Sequence, residues 1–307
     1  MKDAMTIRSF AEMKKTGRKI VTVTAYDATF AQLCEAAGVD IVLVGDSLGM
    51  VIQGHPNTLP VTLDQMVYHT RIVSRGLSRA FLVMDLPFHS LPVSMESATA
   101  AAVRALSEGN AQAVKVEGAT PFVLQLVSHL TSHGIPVMGH VGLIPQSVHQ
   151  MGGFRIQGKT PETGARVLDG ARLLEEAGAF SIVLEAIPHA LAREITDAVS
   201  IPTIGIGAGP HCDGQVLVSY DLLGLNETYC PRFVKKYAQL AEIAKQALVD
   251  YAAEVRTGIF PPADERGGKP PADERGGKPP ADERGGKPPA DERGGKPPAD
   301  ERGGKPP

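Results

Sequence analysis

Residues 113–118 read Ala-Val-Lys-Val-Glu-Gly, two charged residues set two apart in an otherwise apolar run. A β-strand sends alternate side chains to opposite faces, so Lys115 and Glu117 share one face while Val114 and Val116 take the other. An unpaired charge inside a protein is costly, so a face carrying both belongs to a site rather than to a packed core. The same ending recurs along the chain. VLVGDS (42–47) ends at Asp46, FLVMDLP (81–87) at Asp85, PVMGHVG (136–142) at His140 and SIVLEAIP (181–188) at Glu185. Five consecutive strands thus deliver ionisable groups to one rim.

Working outward, Val- and Ile-rich runs predict strands at Lys19–Thr24, Ile41–Val44, Phe81–Met84, Ala113–Val116, Pro136–Gly139, Ser181–Leu184, Thr203–Ile206 and Gln215–Tyr220. Ala-, Leu- and Glu-rich stretches predict helices near Thr6–Lys15 and at Ala28–Ala37, Leu63–Arg75, Met95–Glu108, Pro121–Ser132, Thr160–Ala177, His189–Val199 and Arg232–Val255. The link between the seventh and eighth strands is short and Gly-rich and lacks its helix. Eight strands alternating with helices point to a (β/α)8 barrel, whose active sites are built at the C-terminal rim. A doubly wound sheet would carry G-x-G-x-x-G after its first strand. The nearest match, Gly205-Ile-Gly207-Ala-Gly209, has another spacing and follows a late strand.

From Pro261 onward the chain repeats PPADERGGK five times and ends Pro306-Pro307. The unit is charge-balanced and has no hydrophobe larger than Ala, so residues 261–307 are expected to be disordered and 1–260 to form the catalytic barrel. The tail holds ten basic and ten acidic residues, which leaves 21 basic against 24 acidic residues in the barrel. That balance excludes an electrostatic nucleic-acid or membrane surface. The N-terminal residues hold no apolar stretch suited to a signal peptide, and no run approaches the ~20 apolar residues of a transmembrane helix. Cys34, Cys212 and Cys230 are widely spaced and odd in number, as expected of reduced thiols in a cytoplasmic protein.

Asp46, Asp85 and Glu117 converging on one mouth would repel one another unless a cation lay between them. Oxygen-only donors favour Mg²⁺ over zinc, which would call for His or Cys clusters that are missing here. Glu185 stands apart from the three and is free to act as a base. A divalent cation, a lysine and a separate glutamate suit enolate chemistry on a 2-oxo acid. Gly45-Asp46-Ser47-Leu48 also spells a serine-esterase signature. No D-x-x-H occurs to supply the base and its partner, so Ser47 is expected to hydrogen-bond substrate rather than attack it.

Nine blocks carry a resemblance: TAYDATFA (24–31), VGDSLGM (44–50), QGHPNTLPVT (53–62), YHT (68–70), DLPF (85–88), VKVEG (114–118), GHVGLIPQS (139–147), VLEAIP (183–188) and IGIGAG (204–209). In order and spacing they resemble the ketopantoate hydroxymethyltransferases, from about Thr6 to Phe260. The resemblance implies a (β/α)8 barrel of the phosphoenolpyruvate-binding type. It implies transfer of a one-carbon unit from 5,10-methylenetetrahydrofolate to 2-oxoisovalerate, giving 2-dehydropantoate for pantothenate synthesis. By position, Asp46, Asp85 and Glu117 fall on the family's Mg²⁺ site. Asp46, Ser47, Asp85 and Lys115 fall on its 2-oxo-acid contacts, Glu185 on its proton acceptor, and His140 near the substrate. A homo-oligomer, commonly a decamer of stacked pentamers, is also implied. Met84 departs from the small residue usual there and is expected to tighten the pocket. A lyase or mutase acting on another 2-oxo acid, and a non-catalytic scaffold, are the competing readings.

Overall fold

Eight parallel strands close into a barrel in simple chain order, β1 pairing with β8 through the register Ile20↔Gly214 to Val23↔Leu217. The structure is a computed structural model that describes residues 4–227 and 231–262. The chain opens with α1 (Ile7–Thr16), β1 (Ile20–Thr24), α2 (Ala28–Ala37), β2 (Ile41–Val44), α3 (Leu48–Val51) and α4 (Leu63–Ser74). It continues with β3 (Phe81–Asp85), α5 (Met95–Ser107), β4 (Ala113–Lys115), α6 (Pro121–Ser132), β5 (Val137–Gly142) and α7 (Pro161–Glu176). It closes with β6 (Ser181–Glu185), α8 (His189–Ala198), β7 (Thr203–Ile206), β8 (Gly214–Leu217), α9 (Ser219–Leu222) and α10 (Leu240–Thr257). Most long helices begin where a short polar side chain can accept from the first free amides. Thr6, Asp27, Thr62, Ser94, Thr120 and Thr160 all do so.

Alternation along the strands sorts two cores. Val42, Val44, Leu82, Met84, Val114, Ile182 and Leu184 face outward and pack with the helices. Ile41, Leu43, Phe81, Val83, Ala113, Met138, Val183, Ile204 and Val216 fill the interior, joined by Met5, Phe10 and Met13. Phe10 of α1 is fully buried, with its ring edge-on to Phe81 at 5.4 Å and stacked on Phe180 at 6.3 Å. This aromatic plug closes the N-terminal end of the barrel. The interior phase of Phe81–Val83, Ala113, Met138 and Val183 continues to Asp85, Lys115, His140 and Glu185 at the opposite end.

Three expected elements differ, the simplest being β5, which runs on to Gly142 rather than ending at Gly139 because it keeps pairing with β6 through Gly142↔Glu185. The eighth strand ends at Leu217 rather than Tyr220, because the Ser219 amide leaves the ladder and donates to Thr24 Oγ1 at 3.0 Å. Tyr220 then stacks on Phe30 at 5.6 Å from the short helix α9. The last helix starts at Leu240 rather than Arg232. The Tyr237 amide donates to Leu222 O at 2.8 Å and the Leu240 amide to Leu223 O at 3.0 Å, so this segment docks on the end of α9 before it coils.

By packing the chain divides after Asp250. The described part of the second unit is the end of α10 and a short turn, with Tyr251 and Phe260 rings 5.4 Å apart. Residues 263–307, which hold nearly all of the repeat, and Cys230 lie outside the described residues. Cys34 and Cys212 are buried free thiols. Among the described residues no helix is long and apolar enough to cross a membrane.

Candidate active site

The C-terminal mouth of the barrel opens into a cavity of about 590 Å³. Its floor is made by the ends of β2 to β6. Asp46, Asp85, Lys115, Glu117 and His140 are each less than 8% exposed, although four of them are fully ionisable at ordinary pH. Lys115 is the centre. Its Nζ lies 2.8 Å from Asp85 Oδ1, 3.4 Å from Glu117 Oε1 and 3.2 Å from His140 Nδ1. The Asp46 amide donates to Asp85 Oδ2 at 3.1 Å. That approach requires Gly45, where a Cβ would stand 2.7 Å from Ser47 Oγ and 3.4 Å from Asp85 Oδ2.

The charges are unequally placed. Burial pushes Asp46 well above the usual carboxylate range, and the neighbouring Glu117 and Asp85 carboxylates push it further. Burial also raises Asp85, with Lys115 as the partial offset. For Glu117 burial acts the same way, but Lys115, His140 and the Gln146 amide outweigh it and hold it at about 2. Burial would strip the proton from Lys115, yet Asp85, Glu117 and Asp46 hold it as an ammonium ion.

His140 joins this group to Glu185. Burial and Lys115 oppose its protonation, and Glu117 and Glu185 overcome both, raising it to about 9. Its Nδ1 lies 3.5 Å from Glu117 Oε1 and its Nε2 lies 3.3 Å from Glu185 Oε2. When neutral, the ring can instead accept from Lys115; the two carboxylates favour the charged state. Glu185 is the more open end, its side chain 17% exposed to the cavity.

Two residues in this network were not singled out from the sequence as site residues. Gln146 follows β5 in a 3-10 turn, and its Nε2 donates to Asp46 Oδ2 and to Leu86 O, both at 2.9 Å. Its amide donates to Glu117 Oε2 at 3.1 Å, so one residue braces two carboxylates. Tyr26, buried and thereby kept a neutral phenol, is 2.8 Å from Ser47 Oγ. Among the described residues no histidine bonds to Ser47, and the esterase arrangement is absent. Met84 does not tighten the pocket: it is fully buried on the outer face of β3, among the helices.

The donor set fits a hard divalent cation. It is oxygen-rich and net negative, and Asp85 Oδ1 is a buried atom with no aligned hydrogen bond despite its closeness to Lys115. Among the described residues no three His, Cys, Asp or Glu side chains already enclose a metal position. A cation such as Mg²⁺ is commonly held by one or two carboxylates and completed by water and substrate oxygens.

The upper wall comes from two segments that lie outside the strand ends. One is the 18-residue connection between β5 and α7, which contributes Phe154, Arg155 and Ile156. The other is the segment before α10, which contributes Arg232, Phe233 and Val234.

The fold has relatives. A phosphonopyruvate hydrolase solved with oxalate and Mg²⁺ superposes with a TM-score of 0.56 at 13% identity, covering 85% of this chain and 90% of that one. A 2,3-dimethylmalate lyase of the PEP mutase/isocitrate lyase superfamily gives 0.54 at 14%, covering 85% and 91%. At such identities the likeness is one of fold alone. Sequence similarity is much closer elsewhere. The 3-methyl-2-oxobutanoate hydroxymethyltransferase of Syntrophotalea carbinolica is 51% identical over 261 residues, covering 85% of this chain and 97% of that protein. The family model for ketopantoate hydroxymethyltransferase matches residues 4–263, the whole barrel and every charged residue of its floor. The chain therefore belongs to the ketopantoate hydroxymethyltransferase family.

Proposed function

We propose that the protein transfers a hydroxymethyl group from 5,10-methylenetetrahydrofolate to 2-oxoisovalerate, giving 2-dehydropantoate for pantothenate synthesis. The observation that carries this reading beyond family membership is the buried group Asp46–Asp85–Lys115–Glu117–His140, with Glu185 at its open edge. Asp46, Asp85 and Glu117 would hold Mg²⁺. Bound there, the cation supplies Lewis-acid polarisation of the 2-oxo group.

The chain's own residues do the rest. Lys115 and Ser47 bind the oxygens of the 2-oxo acid, Ser47 oriented by Tyr26. Glu185 takes the proton from C3. His140, between Glu117 and Glu185, holds the base in place. Water adds to the one-carbon unit and tetrahydrofolate leaves, giving a formaldehyde-level carbonyl carbon; C3 bonds to that carbon, and its oxygen takes up a proton to become the hydroxyl. A closed, apolar barrel interior below the floor excludes bulk water from one side, which strengthens each electrostatic contact.

The protein works as a homo-oligomer in the cytoplasm on this reading. Ile243, Leu248 and Val249 of α10 are more than half exposed, which supports a face covered by another copy. Residues 1–260 form the catalytic domain on this reading, and the repeats carry none of its catalytic residues.

The test is direct. Incubation with 2-oxoisovalerate, 5,10-methylenetetrahydrofolate and Mg²⁺ is expected to yield 2-dehydropantoate by mass spectrometry, and chelation with EDTA to stop it. Absence of product from folded protein with the metal present, or equal product after chelation, would contradict the reading.

A further inference from the structure

The charged floor accounts for only part of the cavity. Cavities of roughly 300–1,000 Å³ hold drug-sized ligands, and a five-carbon 2-oxo acid fills little of the 590 Å³ present. The remainder lies between the two unanticipated wall segments. Phe154 and Phe233 are 44% and 45% exposed, and Ile156 is 51% exposed. Each of the two aromatic residues is followed or preceded by an arginine, Arg155 and Arg232. Among the described residues neither guanidinium has an ion pair or a side-chain hydrogen bond. Aromatic faces beside unpaired guanidinium groups suit a flat heteroaromatic ligand with a carboxylate tail.

Phe233 is seated rather than loose. At Gly207 (φ +62°) a Cβ would come within 2.8 Å of its ring, so the glycine makes room for it. Gly152 and Gly153, both at positive φ, set the turn that delivers Phe154 and Arg155.

We infer that Phe154, Arg155, Ile156, Arg232 and Phe233 form a second-substrate subsite above the charged floor, built for the folate donor. The inference rests on the reading of the protein as a folate-dependent transferase and says where the donor binds. Its rings pack against Phe154, Ile156 and Phe233, and its glutamate carboxylates pair with Arg155 and Arg232. This places the one-carbon unit over the floor, facing C3 of the 2-oxo acid.

Two assays separate this subsite from the floor. Deuterium exchange at C3 of 2-oxoisovalerate, run without folate, reads the floor alone. Steady-state KM for 5,10-methylenetetrahydrofolate reads the wall. The double variant Arg155→Ala/Arg232→Ala is expected to raise that KM by about tenfold or more while exchange stays within about twofold. The salt dependence of the folate KM should shrink with it, since exposed ion pairs are screened. Phe233→Ala is expected to raise the folate KM by about tenfold through lost stacking. Because both arginines are on exposed segments, the double variant decides the matter even if Phe233→Ala folds poorly. A folate KM within about twofold of wild type in the double variant would overturn the inference, as would equal loss of exchange and folate affinity. Loss of exchange already in the wild type would instead remove the underlying function, a different failure.

Discussion

Lys115→Met is expected to destabilise the protein by about 3–5 kcal/mol and to abolish turnover. Removing one partner of a buried ion pair leaves its counter-charges without compensation, and losses of about that size follow. Here a single ammonium group faces Asp85 and Glu117 directly and lowers Asp46 from further away. Methionine keeps the length and loses the charge, so the cavity stays filled and the effect is electrostatic. The loss should depend on pH, with a definite sign. Without Lys115, burial acts with less opposition and raises Asp85 and Asp46 further above their unfolded values, while Glu117 keeps His140 and the Gln146 amide. The folded state then binds more protons than the unfolded state, and stability falls as pH rises through those raised values. Urea unfolding of Lys115→Met is therefore expected to show markedly lower stability at pH 8 than at pH 5, with a steeper pH slope than wild type. Wild-type stability at neutral pH, or no change in slope, would show that the lysine does not hold the carboxylates together.

Glu185→Gln is expected to slow C3 proton exchange by about 10²- to 10⁴-fold, the usual contribution of a positioned general base. The change is isosteric, and the strand it ends is paired on both sides, Glu185 opposite Gly142 and Ile206. Fold and 2-oxo-acid affinity should therefore survive. The backbone just beyond the residue is shaped for the task. Ala186 sits at φ +47°, an uncommon conformation for a residue with a Cβ. It is held there because its amide donates to Ile206 O at 2.8 Å and its carbonyl accepts from the Gln157 amide at 2.9 Å. Exchange at the wild-type rate in Glu185→Gln would transfer the base role, with His140 the next residue in line.

What could be read from the sequence followed from short-range periodicity. The phase of a strand is fixed by the alternation of side chains, so the inward direction of Lys115 and Glu117 followed from two intervening valines. The convergence of Asp46, Asp85, His140 and Glu185 followed from their shared place at strand ends in a closed barrel. Phe154, Arg155, Arg232 and Phe233 were not read as site residues because their backbone is irregular. Residues 232–239 carry helix-forming side chains, but a turn closed by the Val234 amide on Pro231 O and the tertiary bond from the Tyr237 amide to Leu222 O hold them out of a helix. The connection that holds Phe154 had one usable signal, its length of 18 residues without a helical period, since long ordered loops in compact domains are commonly functional. Gln146 is silent in any pattern of charge or hydropathy. Its importance lies in three hydrogen bonds that exist only once β2, β3, β4 and β5 are side by side.

The central claim is that a buried, carboxylate-rich floor takes a proton from C3 of a 2-oxo acid with the help of a divalent cation. The measurement that bears on it most directly is deuterium incorporation at C3 of 2-oxoisovalerate by the wild-type protein, followed by NMR with Mg²⁺ and again after chelation with EDTA. Exchange that requires the metal and returns when Mg²⁺ is restored is the expected result. Exchange that proceeds unchanged in EDTA, or no exchange by folded protein with Mg²⁺ present, would contradict it.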